Sequence, residues 1–160
     1  MGLNPRRRAY WKSYVPATLK DALYGCIEYA KEARNLSVER IADLCGINSR
    51  DTLYKYISEA RLPVGLVLAF EAACGINLIS RWNASASGQL LLDIPKGKTA
   101  TPDDISNLQT ALHSAVGDLL SFYRDEKSAD EVLASVTAGL NQLAWHRANV
   151  AKHNQPELDL

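Results

Sequence analysis

Nothing in these 160 residues reads as a membrane span, a secretion signal, a metal cradle or a catalytic cluster. A transmembrane helix needs roughly 18 or more consecutive apolar residues, and no run here reaches that length. The start of the chain carries Arg6, Arg7 and Arg8 but no apolar segment after them, so a secretory signal is not expected. Cysteine is scarce. Cys26, Cys45 and Cys74 are odd in number, form no CxxC pair and sit in apolar helical patterns, as buried, reduced thiols of a cytoplasmic protein would. His113, His146 and His153 make no ligand set, and no spacing suits zinc. A nucleophile elbow, a Gly-rich phosphate loop and a carboxylate pair in a cleft are all missing. The expectation is a protein without catalytic residues, cofactor or metal.

What is present is an ordinary globular composition, 47% hydrophobic and 22% charged. Lys and Arg balance Asp and Glu over the whole chain, but not along it. Residues 1–82 hold 12 basic against 8 acidic side chains, and residues 83–160 hold 6 against 10. Attraction to phosphate is local, so a basic first half can engage nucleic acid while the second half is acidic.

Residues 1–14 mix Arg6–Arg8 and Lys12 with Tyr10, Trp11 and Tyr14 without helical periodicity, and read as an arm. Such an arm either contacts phosphates or a minor groove, or is a solvated tail. Pro16 suits a first helical position, and Leu19, Leu23, Cys26, Ile27, Ala30 and Ala33 form the stripe of a helix closed by Asn35. Ser37 caps a second helix over 38–45 that Gly46 stops. A third spans about 49–58. Pro63 opens a fourth that stops at Gly75, and 76–82 form a short fifth. After the turn-like Ala84 to Gly88, the run Gln89-Leu90-Leu91-Leu92-Asp93-Ile94-Pro95 is the one strand candidate. A lone strand is marginal, so it is expected to pair with the arm or with another copy of itself.

A linker at 96–100 leads to a helix begun by Thr101, Pro102, Asp103 and Asp104, with apolar positions at Ile105, Leu108, Leu112, Ala115, Leu119 and Phe122. Ser128 and Glu131 form a capping box for the last helix, which carries Leu133, Val136, Leu140 and Leu143. The expected architecture is mainly α: an arm at 1–14, a helix-turn-helix domain with one short β-strand at 15–97, and helices for oligomerisation at 98–160.

The informative segment is 36–57. Ile41 and Leu44 are expected to pack inward, and Ala42 is small where a second helix crosses it. Gly46 allows the turn, Ile47 drives it back into the core, and Leu53, Tyr56 and Ile57 bury one face of the next helix. The opposite face then offers Ser49, Arg50, Asp51, Tyr54, Lys55 and Ser58. Arg pairs bidentately with guanine, while Lys, Tyr and Ser reach base edges or phosphates. Arg61, just beyond, either clamps a phosphate or is a surface arginine without a task.

This segment resembles the helix-turn-helix of phage repressors and related bacterial regulators. The five-helix layout matches a lambda-repressor-like domain, with one departure. Thr52 stands where a buried residue is usual and Leu53 follows, so the turn is read as one residue longer and the reading helix as rotated. Residues 73–82 and 88–95 look like regulators encoded in prophages, and 128–142 is similar to the C-terminal helix of the CII-like and YdaT-like prophage proteins. The resemblance implies a cytoplasmic transcription factor of the lysogeny decision that binds double-stranded DNA. It also implies a dimer or tetramer, with RNA polymerase or another phage regulator as a further partner. The apolar stripe of Leu108, Leu112, Leu119, Leu133, Val136, Leu140 and Leu143 is expected to pack between subunits. A protein-interaction adaptor or anti-repressor that uses the same fold without DNA is the other reading.

Overall fold

The computed structural model describes residues 3–92 and 101–153. They divide into two compact units, 1–91 and 92–160.

The first unit is built on α2 (Leu19–Arg34), capped by Thr18 and ended by Asn35 in the left-handed conformation. Its Ala22, Leu23, Cys26 and Ala30 are buried. Around it stand α1 (Pro5–Ser13), α3 (Val38–Leu44), α4 (Arg50–Ser58), a 3-10 turn (Val64–Leu66), α5 (Val67–Cys74) and α6 (Leu78–Ala86). Phe70, Ile41, Leu53, Ile57 and Leu78 complete the core.

Residues 1–14 are not an extended arm. Asn4 caps α1 by accepting from the Arg7 N–H at 2.9 Å, and Pro5 fits its first turn. Only Trp11 on this helix is buried, so no apolar periodicity announces it. The helix is held by tertiary contacts. The Trp11 indole N–H donates to Glu32 at 2.9 Å, and Arg7 pairs with the same carboxylate and with Glu28. Arg81 Nη1 reaches back to the Trp11 carbonyl at 2.8 Å, satisfying the end of α1.

Two other helix ends are completed by distant side chains. Buried Glu71 accepts from the Ser80 N–H at 2.8 Å and its hydroxyl at 2.7 Å, doing for α6 what the Asn77 side chain does not. Arg34 donates to the Ala72 and Ala73 carbonyls where α5 stops at Gly75. All three cysteines are buried and free. Hydrogen bonding to Cys26 together with burial raises the Cys74 thiol far above its ordinary value, which leaves it unreactive.

The expected strand is absent. Gln89–Leu92 have no regular structure and Leu90 and Leu91 are exposed; Asp93, Ile94 and Pro95 lie outside the described residues. Among the described residues there is no strand at all, so the fold is all-helical. The physical reason is the missing partner. Of the two partners expected, the arm or a second copy, the arm is α1, whose backbone groups are already spent in a helix.

The second unit is a helical hairpin of α7 (Pro102–Phe122) and α8 (Ala129–His153). Thr101 and Asp104 form a capping box at the start of α7, and before α8 Ser128 donates both its N–H and its hydroxyl to the Glu131 carboxylate. His146 meets the Asp104 carbonyl at 3.3 Å, Gly139 lies against Leu112, and Lys127 pairs with Asp118, so the helices run antiparallel. Ala115, Val132 and Trp145 are buried between them. No helix among the described residues is long and apolar enough to cross a membrane.

Candidate nucleic-acid interface

Three short-range rules place α4. Ser37 and Ser49 cap α3 and α4, each accepting a backbone N–H three residues on. Between the helices, Gly46 takes φ +67°, a left-handed value that costs other residues about 1–2 kcal/mol. The Ile47 N–H then returns to the Ala42 carbonyl at 2.9 Å, and Ile47 goes into the core. Leu53 and Ile57 are almost fully buried, Tyr56 and Thr52 half-buried.

Leu44 departs from expectation: it is half exposed, because Ile41, Ala42 and Cys45 already take the buried face of that turn. It borders an open groove of about 600 Å³ lined by Arg34, Leu36, Arg40, Leu44, Ala69, Ala72 and Ala73.

The outer face of α4 carries Arg50, Asp51, Tyr54, Lys55 and Ser58, all exposed. At about 100° per residue Lys55 falls opposite Leu53 and Ile57, with Asp51, Tyr54 and Ser58 on the flank; Arg50, seven residues before Ile57, is exposed because it opens the helix. Ser49 and Ser58 spend their hydroxyls locally, Ser49 on Thr52 and Ser58 on the Lys55 carbonyl at 3.1 Å. Arg61 is strongly exposed and 3.8 Å from Glu59. Arg50 is engaged at one end: Nη1 donates to Glu39 Oε1 at 2.7 Å, and Asp51 stands 3.6 Å from Nε. Its side chain is still 54% exposed. The bond to Glu39 raises Arg50 above its ordinary value. Glu39 in turn is held below the usual carboxylate range, first by its own backbone N–H and then by Arg50.

The three arginines of α1 divide. Arg6 and Arg8 are exposed, whereas Arg7 lies over the Tyr10 and Trp11 rings and binds Glu32, so it is not offered to a phosphate. Glu39 is the residue of this face that the sequence pattern did not bring forward. It stands in the first turn of α3 and Arg50 in the first turn of α4, and only the packing of the two helices brings them together.

In the hairpin unit, Leu108, Leu112, Leu119, Val136 and Leu140 are half-buried, and Leu133 and Leu143 exposed, Leu133 at 62%. Exposed Val116, Leu120 and Tyr123 belong with them. The helical turn of about 100° puts Leu112, Val116 and Tyr123 on one flank of α7 and Leu133, Val136 and Leu140 on one flank of α8. Because the helices are antiparallel, the two flanks face the same side of the hairpin. His113, by contrast, is exposed and bonds only to the Gln109 carbonyl at 2.9 Å.

Comparison with family models, with curated proteins and with solved structures finds no match for this chain. Among the described residues no group of three or more His, Cys, Asp or Glu is placed to hold a metal ion.

Proposed function

We propose that this chain is a sequence-specific, double-stranded-DNA-binding regulator of phage or prophage type, reading the major groove with α4 and working as an oligomer. The observation that carries the reading is the two-sidedness of α4. Leu53 and Ile57 anchor it, while Arg50 at its first position and Tyr54 and Lys55 farther round the helix are exposed. A rigid helix with such a ridge fits the major groove, where Arg reads guanine and Lys and Tyr contact base edges or phosphates. Arg6, Arg8 and Arg61 are exposed cations suited to phosphate contacts that fix register. Two linked copies gain affinity through effective concentration. The apolar side of the hairpin supports a second copy there. Its length and width, about 30 Å by 20 Å from helix dimensions, approach the roughly 800 Å² per partner of a stable interface.

Selection of bound duplexes from a random pool, followed by affinity measurements over a range of salt, tests the reading. The expected result is one enriched motif and an affinity that falls steeply with salt. An unenriched pool together with no duplex binding at low salt overturns it.

One observation favours a second reading, a protein-interaction adaptor or anti-repressor. Leu44, Val64 and Leu68 are exposed apolar side chains on α3, the 3-10 turn and α5, and Leu44 lines the groove described above. In that case a protein such as RNA polymerase or another phage regulator is the partner and duplex binding is absent.

A further inference from the structure

We infer that Glu39 governs the selectivity of the reader, holding Arg50 in one pose and turning phosphate away from it. The inference rests on the DNA-reading assignment above and names the residue that sets its specificity. Arg50 and Glu39 belong to different helices, eleven residues apart, and meet through the 2.7 Å bond from Nη1 to Oε1. Asp51 faces the Nε edge of the same guanidinium at 3.6 Å.

A guanidinium carries five N–H groups in a fixed fork. With one Nη1 hydrogen given to Glu39 and the Nε edge facing Asp51, a second Nη1 hydrogen and those of Nη2 are left for another partner. One hydrogen on Nη1 and one on Nη2 together span the distance between O6 and N7 of guanine. A free arginine has to lose rotamer freedom to reach this geometry, whereas this one is already tethered.

Phosphate meets different conditions at the same side chain. An anionic oxygen that approaches Arg50 also approaches the Glu39 and Asp51 carboxylates, and like charges repel. Guanine presents a neutral edge and escapes that repulsion. The carboxylates therefore weaken the attraction common to every sequence more than they weaken the pairing with one base. The wider charge pattern agrees. Over residues 37–61, Arg40, Arg50, Lys55 and Arg61 are matched by Glu39, Asp43, Asp51 and Glu59. A reading segment without net charge draws little non-specific affinity from phosphates.

The test uses the full-length protein and fluorescence anisotropy against three duplexes over a range of KCl. They are the selected site, the same site with the guanine pair read by Arg50 replaced, and a scrambled sequence. Glu39→Gln keeps the size of the side chain and an acceptor while removing its charge, and the residue is exposed enough for the core to be unaffected. The expected result is scrambled-duplex affinity higher by about threefold to tenfold at low salt, with a salt dependence steeper by about one phosphate contact. The preference for guanine should fall by about the same factor. In an Arg50→Ala background, Glu39→Gln should leave base preference unchanged, an outcome that a merely structural role for Glu39 does not predict.

The inference is overturned if Glu39→Gln keeps the wild-type preference, or if it shifts that preference equally with Arg50 absent. Wild-type protein that binds none of the three duplexes removes the DNA-reading assignment itself, and this inference with it. That outcome is visible before any variant is made.

Discussion

At the scale of single residues, a side chain's role follows from what holds it. Arg50 is tethered at one end and free at the other, so Arg50→Ala should cost about 1–3 kcal/mol of discrimination at one operator position while leaving neighbouring positions alone. A panel of single-base duplex variants measures this; equal affinity for all four bases in the wild type would remove Arg50 from base readout. Glu32 is tethered for stability instead. Its bond to Arg7, with help from the Trp11 indole, holds its carboxyl below the ordinary 4.5. A carboxylate lowered in the folded state stabilises the fold above its unfolded value, and that contribution is lost as pH falls through the folded one. The docking of α1 should therefore loosen in acid, below about pH 4.5. The indole N–H resonance of Trp11, followed from pH 7 downward, should shift there, and Glu32→Gln should abolish that transition.

Elements are decided by their ends and by what they lean on. Helix α5 stops at Gly75, whose φ of +81° is strained for any residue with a Cβ, and an added Cβ would also fall onto the Arg34 guanidinium that caps the α5 carbonyls. Gly75→Ala should destabilise the first unit by about 2 kcal/mol, read as a lower midpoint in urea. Trp11 is the one buried residue of helix α1. Removing that indole empties a buried site, so Trp11→Ala should cost about 3–5 kcal/mol and expose residues 5–13 to protease before the rest of the unit unfolds. Cleavage no faster than in the wild type would show that α1 is secured without it.

For the molecule as a whole, the question is what covers the hairpin. Two helices with three buried hydrophobic side chains between them leave Leu120 at 55% and Tyr123 at 80% exposed. Small units with so little core seldom stand alone. Sedimentation of the wild type should give a dimer or tetramer, and Leu120→Glu combined with Leu133→Glu should give a monomer with much weaker DNA binding, since each reading helix then works singly. A wild-type monomer at micromolar concentration would end the oligomer reading.

Most of the helices between 19 and 82 and from 102 to 153 were legible because their signals are local, although α6 runs on to Ala86 through the stretch read as turn-like. Apolar periodicity, Ser37 and Thr101 as caps, and Gly46, Gly75 and Asn35 as stops each act within a few residues, whereas Ser49, read as a DNA contact, caps α4. The exposure of Tyr54 and Lys55 followed from the same periodicity, once Leu53 and Ile57 marked the buried side, whereas Arg50 is exposed because it opens the helix. Helix α1, the unpaired course of Gln89–Leu92, the exposure of Leu44 and the bond between Glu39 and Arg50 were decided otherwise. Each depends on residues far along the chain, Glu32 and Arg81 for α1, a missing partner for 89–92, a neighbour's side chain for Arg50. Short-range preferences are written in the order of residues, but a contact between distant ones exists only after the chain has closed on itself.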